Sequence, residues 1–545
     1  MKFLLAGILC FCLFFKSTAQ QADVNSAASL QEWHLKDKAT SGYYGISIDK
    51  AYELLKDRKS QTVIVAVIDS GIDTLQEDLK PVLWINKKEI QGNGIDDDGN
   101  GYIDDYYGWN FCGSRDGKNL KQNSNEAARV YHQWKDEFEG KKEKHISADK
   151  VFLFQQWKKA KEVIEEKYNN AKKNIDDITY AVNRFDEAAK LIRSAYKLES
   201  FGYKELNAID VTAATARVQE AVNNWKRILA RDASATDAIV LDDEKKYLEK
   251  LQTDINNYNV KPEDVRMTLT HDNYTDINDR FYGNNNLKSE SGDHGTLTAG
   301  TIAALRDNGI GSKGIVNDVK IMAIRAVPGG DEHDKDIALA IRYAVDNGAQ
   351  IINMSFGKPV SPYKQFVDDA VAYAESKNVL LVHSAGNDAK NISEYVFYPS
   401  AIYLNGKKAS NFISVGASNK DNTDGTLPAS FSNYSKQDVD IFAPGVSIYS
   451  TASNNTYKSV DGTSFSGPVV SGVAALLKSY FPKLTPQQLI EIIIRSGTTV
   501  NEDVRIPGGD KEKKVPFADL CASGKIVNAY EAVKLALQWE IEKKF

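Results

Sequence analysis

A β-branched run near the N-terminus reads Thr62-Val63-Ile64-Val65-Ala66-Val67-Ile68 and ends in Asp69-Ser70-Gly71. A continuous apolar run of this length is typical of a strand that is covered on both faces in a parallel sheet. Similar runs return at 319–326, 349–354, 379–383, 412–416 and 439–442.

Helical patterns separate several of these runs. Within 334–347, the side chains of Ile337, Ile341, Ala344 and Val345 share one helical face. Further along, Thr485-Pro486-Gln487-Gln488 has the form of a capping box with Pro at the first helical position. Alternating strands and helices predict an α/β fold, a parallel sheet with helices on both faces.

The composition is that of a soluble protein with several parts. The 545 residues carry 68 Lys and Arg against 74 Asp and Glu, a net charge of −6, and 42% of them are hydrophobic, with a mean hydropathy of −0.42. This is too apolar for a disordered chain and too polar for a polytopic membrane protein. Because nucleic-acid binding requires a basic face, we expect no nucleic-acid partner.

The N-terminus has the pattern of an export signal. An apolar run from Phe3 to Phe15 follows Lys2 and leads to the small residues Ser17-Thr18-Ala19. We predict a signal peptide at 1–19 and an exported protein, periplasmic or secreted. A membrane anchor is the alternative, but the run is shorter than the roughly 20 residues of a spanning helix, so we expect no stable span after cleavage.

Removal of the predicted signal peptide would take away two of the four cysteines and leave two in the mature chain. Cys112 and Cys521 either form one disulfide or remain two unpaired structural thiols.

A different pattern occupies 115–285. Apolar residues step by four and three through Ile164, Tyr168, Ala171, Ile175, Ile178, Val182, Phe185, Ala189, Ile192 and Tyr196. This spacing predicts one long helix, and further apolar faces at 218–229 and 248–258 predict partner helices. We interpret the region as an antiparallel, coiled-coil-like helical arm inserted into the α/β domain, which either contacts a partner or gates substrate.

Five segments follow from these boundaries. They are the signal peptide (1–19), an N-terminal extension (20–60), the first part of the α/β domain (61–114), the helical insertion (115–285) and the second part of the domain (286–545).

Three motifs carry residues for nucleophilic chemistry. Asp69 ends the first strand, His294 begins His294-Gly295-Thr296, and Ser464 lies in Gly462-Thr463-Ser464-Phe465-Ser466-Gly467-Pro468. The carboxyl ends of parallel strands meet at one edge of a sheet, so distant residues can converge there. A serine hydroxyl needs a base such as His294, and the imidazole needs a carboxylate such as Asp69. We predict Ser464 as nucleophile, at the positive end of a helix.

A tetrahedral intermediate also requires hydrogen-bond donors for its oxyanion. His383-Ser384-Ala385-Gly386-Asn387 ends a buried strand with an amide side chain. We predict that Asn387 and the backbone N–H of Ser464 are these donors.

Together, the four motifs in this order resemble the subtilisin-like serine peptidases, or subtilases (peptidase S8 family). The resemblance covers about 40–114 and 286–545 and implies a seven-stranded parallel sheet, endopeptidase activity and protein or peptide substrates. It places Asp69, His294, Ser464 and Asn387 in the family's catalytic positions.

The chain departs from the family's usual residues at four positions, Gln76, Asp293, Leu297 and Thr298. The Asp293 carboxylate either raises the pKa of His294 or faces solvent.

The resemblance also implies a substrate site. An extended substrate would lie along Ser355-Phe356-Gly357 and beside Ser384-Ala385-Gly386, with main-chain bonding like an added strand. Phe397 precedes Tyr398-Pro399, where subtilases place the base of the S1 pocket. A benzyl group there favours small P1 side chains such as Ala, unless a local shift of the alignment sends Phe397 into the core.

An acidic loop, 93–105, has oxygen ligands at alternate positions. Its candidate ligands are Asp96, Asp98, Asn100, Asp104 and the carbonyl of Tyr102, with Gly101 at the turn. We predict a structural Ca²⁺ here and no cofactor for the chemistry; the alternative is an acidic surface loop without an ion.

Two other functions fit parts of the pattern. The helical arm also suits a secreted binding or scaffold protein with a vestigial peptidase fold, and an esterase would use the same triad. The intact Asp, His and Ser favour the peptidase.

Overall fold

The structure, a computed structural model, describes residues 31–230, 235–289 and 292–545. The predicted signal peptide at 1–19 lies outside the described residues. In the described part of the chain, no helix combines the length and the apolar character needed to cross a membrane.

The strands, in chain order, are β1 (Val63–Asp69), β2 (Gly108–Asn110), β3 (Val319–Arg325), β4 (Ile351–Met354), β5 (Leu380–Ser384), β6 (Phe412–Ser418), β7 (Ile441–Pro444), β8 (Ile448–Ala452), β9 (Thr456–Val460), β10 (Thr498–Thr499), β11 (Asp503–Arg505), β12 (Lys514–Pro516) and β13 (Lys525–Ile526).

The helices are α1 (Lys38–Ser41), α2 (Ile48–Leu55), α3 (Glu126–Phe138), α4 (Val151–Tyr196), α5 (Tyr203–Ala208), α6 (Ala216–Leu229), α7 (Asp237–Asn259), α8 (Val265–Thr270), α9 (His294–Ala303), α10 (Asp334–Asp346), α11 (Lys364–Ser376), α12 (Thr463–Tyr480), α13 (Pro486–Ser496) and α14 (Ala529–Ile541).

One large sheet has the strand order β10-β13-β7-β6-β5-β4-β1-β3-β2, and its neighbours are parallel except for β10 with β13. The predicted α/β fold with a parallel sheet is confirmed. The sheet has nine strands rather than seven, because β13 and β10 extend the edge beside β7. Each of these two strands has only two residues, too few for a hydrophobic period to predict them.

Side chains of β1 alternate between two cores. Val63, Val65 and Val67 belong to one hydrophobic core with residues of α9, α12 and α14, whereas Ala66 and Ile68 belong to a second core with residues of α10 and α11. This is the period of two that places successive strand residues on opposite faces. Helices therefore cover both faces of the central strand, as its unbroken apolar sequence predicts. The predicted capping box of α13 is also present.

The described residues form two compact units, one of 161–262 and one of 31–160 with 263–545. In the smaller unit, α4 continues to Tyr196 as part of a 46-residue helix, which confirms the predicted long helix. Its core includes Trp225, against which Phe185 and Phe201 pack edge to face. The segments 115–160 and 263–285, which the sequence analysis assigned to the insertion, cluster with the larger unit.

The N-terminal extension is built into the larger unit from residue 33 onward. Trp33 is 2% exposed, donates from Nε1 to the Val446 carbonyl at 3.0 Å, and packs with Leu297 of α9 and Phe465 of α12.

The cysteines Cys112 and Cys521 are both buried and not joined to each other. Burial raises the pKa of each thiol, which is the behaviour of inert structural cysteines.

Candidate active site

Asp69 ends β1, and its carboxylate contacts His294, the first residue of α9. Nδ1 of His294 lies 2.8 Å from Oδ1 and 3.0 Å from Oδ2 of Asp69, whose side chain is 2% exposed. The carboxylate also accepts from the N–H of Ser70 at 2.6 Å and from the Thr298 hydroxyl at 3.4 Å. An ionised carboxylate is only an acceptor, so Nδ1 carries the proton and Nε2 is left to accept one.

Glycine at 295 allows this contact. A Cβ at that position would lie 2.3 Å from the carbonyl oxygen of Gly71 and 3.1 Å from Cβ of Asp69. A larger residue would therefore push the start of α9 away from the end of β1.

The charge of Asp69 shifts the titration of His294. Burial lowers the pKa of His294, but the Asp69 charge and hydrogen bond more than offset it, so the pKa lies above its ordinary value of 6.5.

The neighbouring Asp293 is engaged elsewhere: its carboxylate accepts from the N–H of Ser453 at 3.2 Å and lies 2.9 Å from Nζ of Lys458. Burial raises the pKa of Asp293, but these partners outweigh it and hold that pKa below its usual range.

Ser464 is the second residue of α12. Its hydroxyl donates to the Ser355 carbonyl at 3.3 Å, and the ring of the next residue, Phe465, lies 5.6 Å from the His294 ring. Within the described part of the chain, the hydrogen bond of Ser464 goes to Ser355 and not to His294. The N–H of Ser464 belongs to the first turn, whose amides have no acceptor within the helix.

Side chains from two strand ends hold the start of α12. The Ser384 hydroxyl donates to the Thr463 carbonyl at 2.7 Å, and the Ser355 hydroxyl donates to the Ser464 carbonyl at 2.8 Å. Gly467 permits this approach, because a Cβ there would lie 2.7 Å from the Ser384 hydroxyl oxygen. The nucleophile candidate is thus positioned by the carboxyl ends of β4 and β5.

Asn387 is exposed and follows β5. Its Oδ1 accepts from both the N–H and the hydroxyl of Thr463 at 2.9 Å. Since a backbone N–H can only donate, the oxygen of the amide must be the atom that faces Thr463. Nδ2 is therefore the end of the side chain that has no hydrogen bond among the described residues, and a Cβ at Gly462 would lie 3.6 Å both from this Nδ2 and from the backbone nitrogen of Ser464.

The predicted substrate segments, Ser355-Phe356-Gly357 and Ser384-Ala385-Gly386, each approach the ring of Phe397 through their glycine. A Cβ at Gly357 would lie 2.3 Å from the Phe397 ring, and a Cβ at Gly386 would lie 3.0 Å from it. The half-buried ring thus fills the space that these two glycines border. We call this space the S1 slot, because the family resemblance predicts the S1 pocket there. His383 is 2% exposed, and its Nε2–H donates to the carbonyl of Phe356 at 2.9 Å; a carbonyl oxygen can only accept, so Nε2 carries the proton.

A cavity of about 220 Å³ adjoins Phe397. It is lined by His383, Ala385, Ile392, Val396, Pro399 and Ala401 among others.

Comparison with known proteins identifies the family. The Subtilase family model matches residues 60–511. The chain belongs to the subtilase family. It is a serine endopeptidase, a hydrolase of peptide bonds, and its substrates are proteins or peptides.

Several relatives are similar to parts of this subtilase. Subtilisin DY of Bacillus licheniformis is 35% identical over 228 residues, which cover 41% of this chain and 76% of that protein. The Thermophilic serine proteinase of Bacillus sp. (strain AK1) is 40% identical, over 36% of this chain and 46% of that protein. The Cell wall-associated protease of Bacillus subtilis (strain 168) is 32% identical, over 49% of this chain and 29% of that protein.

Among solved structures, the prenylagaramide maturation protease PagA is 28% identical and covers 45% of this chain and 82% of that one, with a TM-score of 0.37.

The acidic loop of this subtilase brings three carboxylates together. One oxygen each of Glu89, Asp96 and Asp98 lie within 4.8 Å of one another. Glu89 is 5% exposed; its Oε1 accepts from the N–H groups of Asp97 and Asp98, but its buried Oε2 has no hydrogen-bond partner among the described residues. Burial raises the pKa of Glu89, and the negative charges of Asp98 and Asp97 raise it further. The hydrogen bonds from the backbone N–H groups of Asp98 and Asp97 lower this pKa but do not offset the rise. A divalent cation would satisfy this set.

Two other predicted ligands have different partners. The Asp104 carboxylate accepts from the N–H groups of Gly92, Asn93 and Gly94 at 2.7, 3.1 and 2.8 Å, so it organises the loop backbone. Oδ1 of Asn100 accepts from the N–H of Tyr102 at 2.8 Å.

Sequence reasoning missed Glu89. It lies seven positions before Asp96, outside the alternating pattern, and no local spacing rule connects it to the loop.

Proposed function

We propose that this subtilase is an exported endopeptidase in which Ser464 is the nucleophile, His294 the general base and Asp69 the residue that orients the imidazole. The Asp69 to His294 contact carries the proposal, because a buried carboxylate that fixes Nδ1–H leaves Nε2 free for the serine proton. The position of Ser464 at the start of α12, facing the same sheet edge, supports it.

The chemistry follows from these positions. On substrate binding, the Ser464 hydroxyl leaves the Ser355 carbonyl and gives its proton to Nε2 of His294 as Oγ attacks the peptide carbonyl. The 3.3 Å hydrogen bond to the Ser355 carbonyl is long, so it is easily given up. The hydrogen bond from Ser464 to His294 then forms in the substrate complex, where catalytic hydrogen bonds often tighten. Asp69 stabilises the imidazolium, which then protonates the leaving amine. Water repeats the sequence on the acyl-enzyme.

Nδ2 of Asn387 and the N–H of Ser464 are the oxyanion donors in this proposal. Both lie at the start of α12, and Thr463 holds Oδ1 of Asn387 so that Nδ2 points outward. Preorganised donors of this kind gain strength as negative charge develops on the carbonyl oxygen.

The substrate lies extended along 355–357 and 384–386, with its P1 side chain directed into the S1 slot. Because the Phe397 ring fills much of that slot, P1 is a small residue such as Ala.

A structural Ca²⁺ is bound by Glu89, Asp96 and Asp98 in this proposal. The orphaned Oε2 of Glu89 supports it, since a buried carboxylate oxygen without a donor is costly unless a cation binds it. The ion neutralises three close carboxylates and stabilises the loop; it takes no part in peptide hydrolysis.

The proposal of export rests on the predicted signal peptide at 1–19, and a relative whose name places it at the cell wall supports it.

The compact unit 161–262 is inserted between the segments that carry Asp69 and His294, and we propose that it selects which proteins reach the active site.

A fluorophosphonate probe tests the assignment of the nucleophile. The wild-type protein should be labelled at Ser464, and Ser464→Ala should lose both labelling and casein cleavage. Ser466→Ala, two positions along the same helix, should keep both, because its hydroxyl donates to the Ala443 carbonyl inside the core. Full labelling of Ser464→Ala would contradict the proposal, and an ester substrate hydrolysed without casein cleavage would favour an esterase.

A further inference from the structure

The chain that follows Gly357 and the chain that follows Phe397 are joined by hydrogen bonds next to the S1 slot. Lys358 follows Gly357 and Tyr398 follows Phe397, and their backbones form a two-bond bridge: the N–H of Lys358 donates to Tyr398 at 3.0 Å, and that of Tyr398 donates to Lys358 at 2.9 Å. Any shift of this bridge changes the distance between the 355–357 segment and the Phe397 ring. The width of the slot therefore depends on what holds the bridge.

Residues 121–160, which we call the root of the insertion, hold the Lys358 side of this backbone bridge. The Lys358 ammonium is 2% exposed and lies 3.1 Å from the Glu126 carboxylate of α3, 2.8 Å from Asp334 and 2.9 Å from the Glu332 carbonyl. Burial lowers the pKa of Lys358, but the Asp334, Glu126 and Glu332 charges outweigh it and raise that pKa. A buried ammonium keeps its charge only while these partners stay in place, so Lys358 is held firmly.

Gln156, in the second turn of α4, holds the other side. Its side chain is buried, with the residue 6% exposed; Oε1 accepts from the N–H of Ser361 at 2.8 Å, and Nε2 donates to the Tyr398 hydroxyl at 3.2 Å. One amide thus ties the chain beyond Lys358 to the residue beyond Phe397. Both ends of the amide are used in the correct donor and acceptor sense.

We propose that the root of the insertion sets the width of the S1 slot, with Gln156 as the positioning residue that determines P1 specificity. It touches neither substrate nor triad and acts through Tyr398 and Ser361. This inference rests on the proposed peptidase function and on the S1 slot as defined above. It makes the inserted segment part of the specificity machinery rather than an appendage to it.

The test is Gln156→Leu, which keeps a side chain of similar volume and removes both hydrogen bonds. Gln155→Leu is the matched control, because Gln155 is adjacent and exposed, and its Nε2 donates to the Glu143 carboxylate at a long 3.4 Å. Each variant is assayed for fluorophosphonate labelling and for kcat and KM on peptides that differ only at P1 (Ala, Leu, Phe). In Gln156→Leu, we expect fluorophosphonate labelling within about twofold of wild type. The ratio of kcat/KM for the Ala peptide to that for the Phe peptide should change about five- to tenfold, mainly through KM. A change of this size is what the loss of one or two neutral hydrogen bonds produces.

Tyr398→Phe removes only the hydroxyl that Gln156 binds and should change the same ratio in the same direction. The double variant should be less than additive, because both changes break one contact. P1 ratios equal to wild type in Gln156→Leu, or in Tyr398→Phe if Gln156→Leu does not fold, would overturn the inference. Wild-type protein that shows neither labelling nor peptide cleavage would instead overturn the proposed function.

Discussion

The Asp69 carboxylate and Nδ1 of His294 lie 2.8 Å apart, although 225 positions separate them in the chain. The contact raises the pKa of His294 above 6.5, whereas burial by itself lowers that pKa. Since only a neutral imidazole can accept the serine proton, activity should be lost as the pH falls through this raised pKa.

The acid limb of the kcat/KM profile should therefore lie above pH 6.5. Asp69→Asn should lower kcat by about 10⁴ and move the limb of the residual activity to lower pH, because burial then acts without the compensating charge. Asp293→Asn is the control: its carboxylate pairs with Lys458, so the limb should stay in place. A limb that moves with Asp293 and not with Asp69 would contradict this account of the base.

Phe397→Gly should join the S1 slot to the 220 Å³ cavity that Phe397 adjoins. We expect the proposed preference for Ala at P1 to give way to Phe or Leu, with the ratio of kcat/KM changing by about tenfold or more. Val396→Ala enlarges the same cavity but leaves the Phe397 ring in the slot, so it should keep the wild-type preference. Wild-type enzyme that already cleaves best after Phe would show that the ring does not close the slot.

Calcium should raise the melting temperature, because it binds the folded loop better than the unfolded chain; at 100 times Kd the gain is about 2.7 kcal/mol. Glu89→Gln should abolish this response. The pKa of Glu89 is raised on folding, so its ionised form destabilises the calcium-free protein above that pKa, and Glu89→Gln should stabilise the calcium-free protein at neutral pH.

Asp97→Asn provides the control for calcium. Asp97 is exposed and accepts from the N–H of Ile90 and from Asn93, outside the carboxylate cluster, so the calcium response should persist. Identical melting curves of metal-free wild-type protein with and without calcium would refute the site.

Replacing 161–262 with a flexible linker should leave Ser464 labelling and short-peptide cleavage within about twofold, since Glu126 and Gln156 remain. Cleavage of folded proteins should change, because the proposed selecting unit is gone. Replacing 121–280 instead removes both root residues and should also alter P1 preference. If both variants cleave folded proteins and peptides as the wild-type enzyme does, the insertion affects neither the choice of protein substrate nor the P1 preference.

Local sequence determined the sheet and the chemistry-bearing motifs. The apolar runs at 62–68 and 319–326 predicted buried parallel strands because a strand covered on both faces needs apolar side chains at consecutive positions. Asp69, His294 and Ser464 could be named because each lies in a short motif at the end of a strand or the start of a helix. The long helix of the insertion followed from its heptad spacing in the same way.

Tertiary structure decided the contacts between those motifs and their surroundings. Glu89 joins Asp96 and Asp98, while Asp104 binds loop amides. Asp293 pairs with Lys458, and the Phe397 ring lies close to Gly357 and Gly386. Gln156 reaches Tyr398 across 242 positions. Periodicity and motifs report on neighbours along the chain, whereas these contacts depend on strand register and on the paths of loops that only the folded chain brings together.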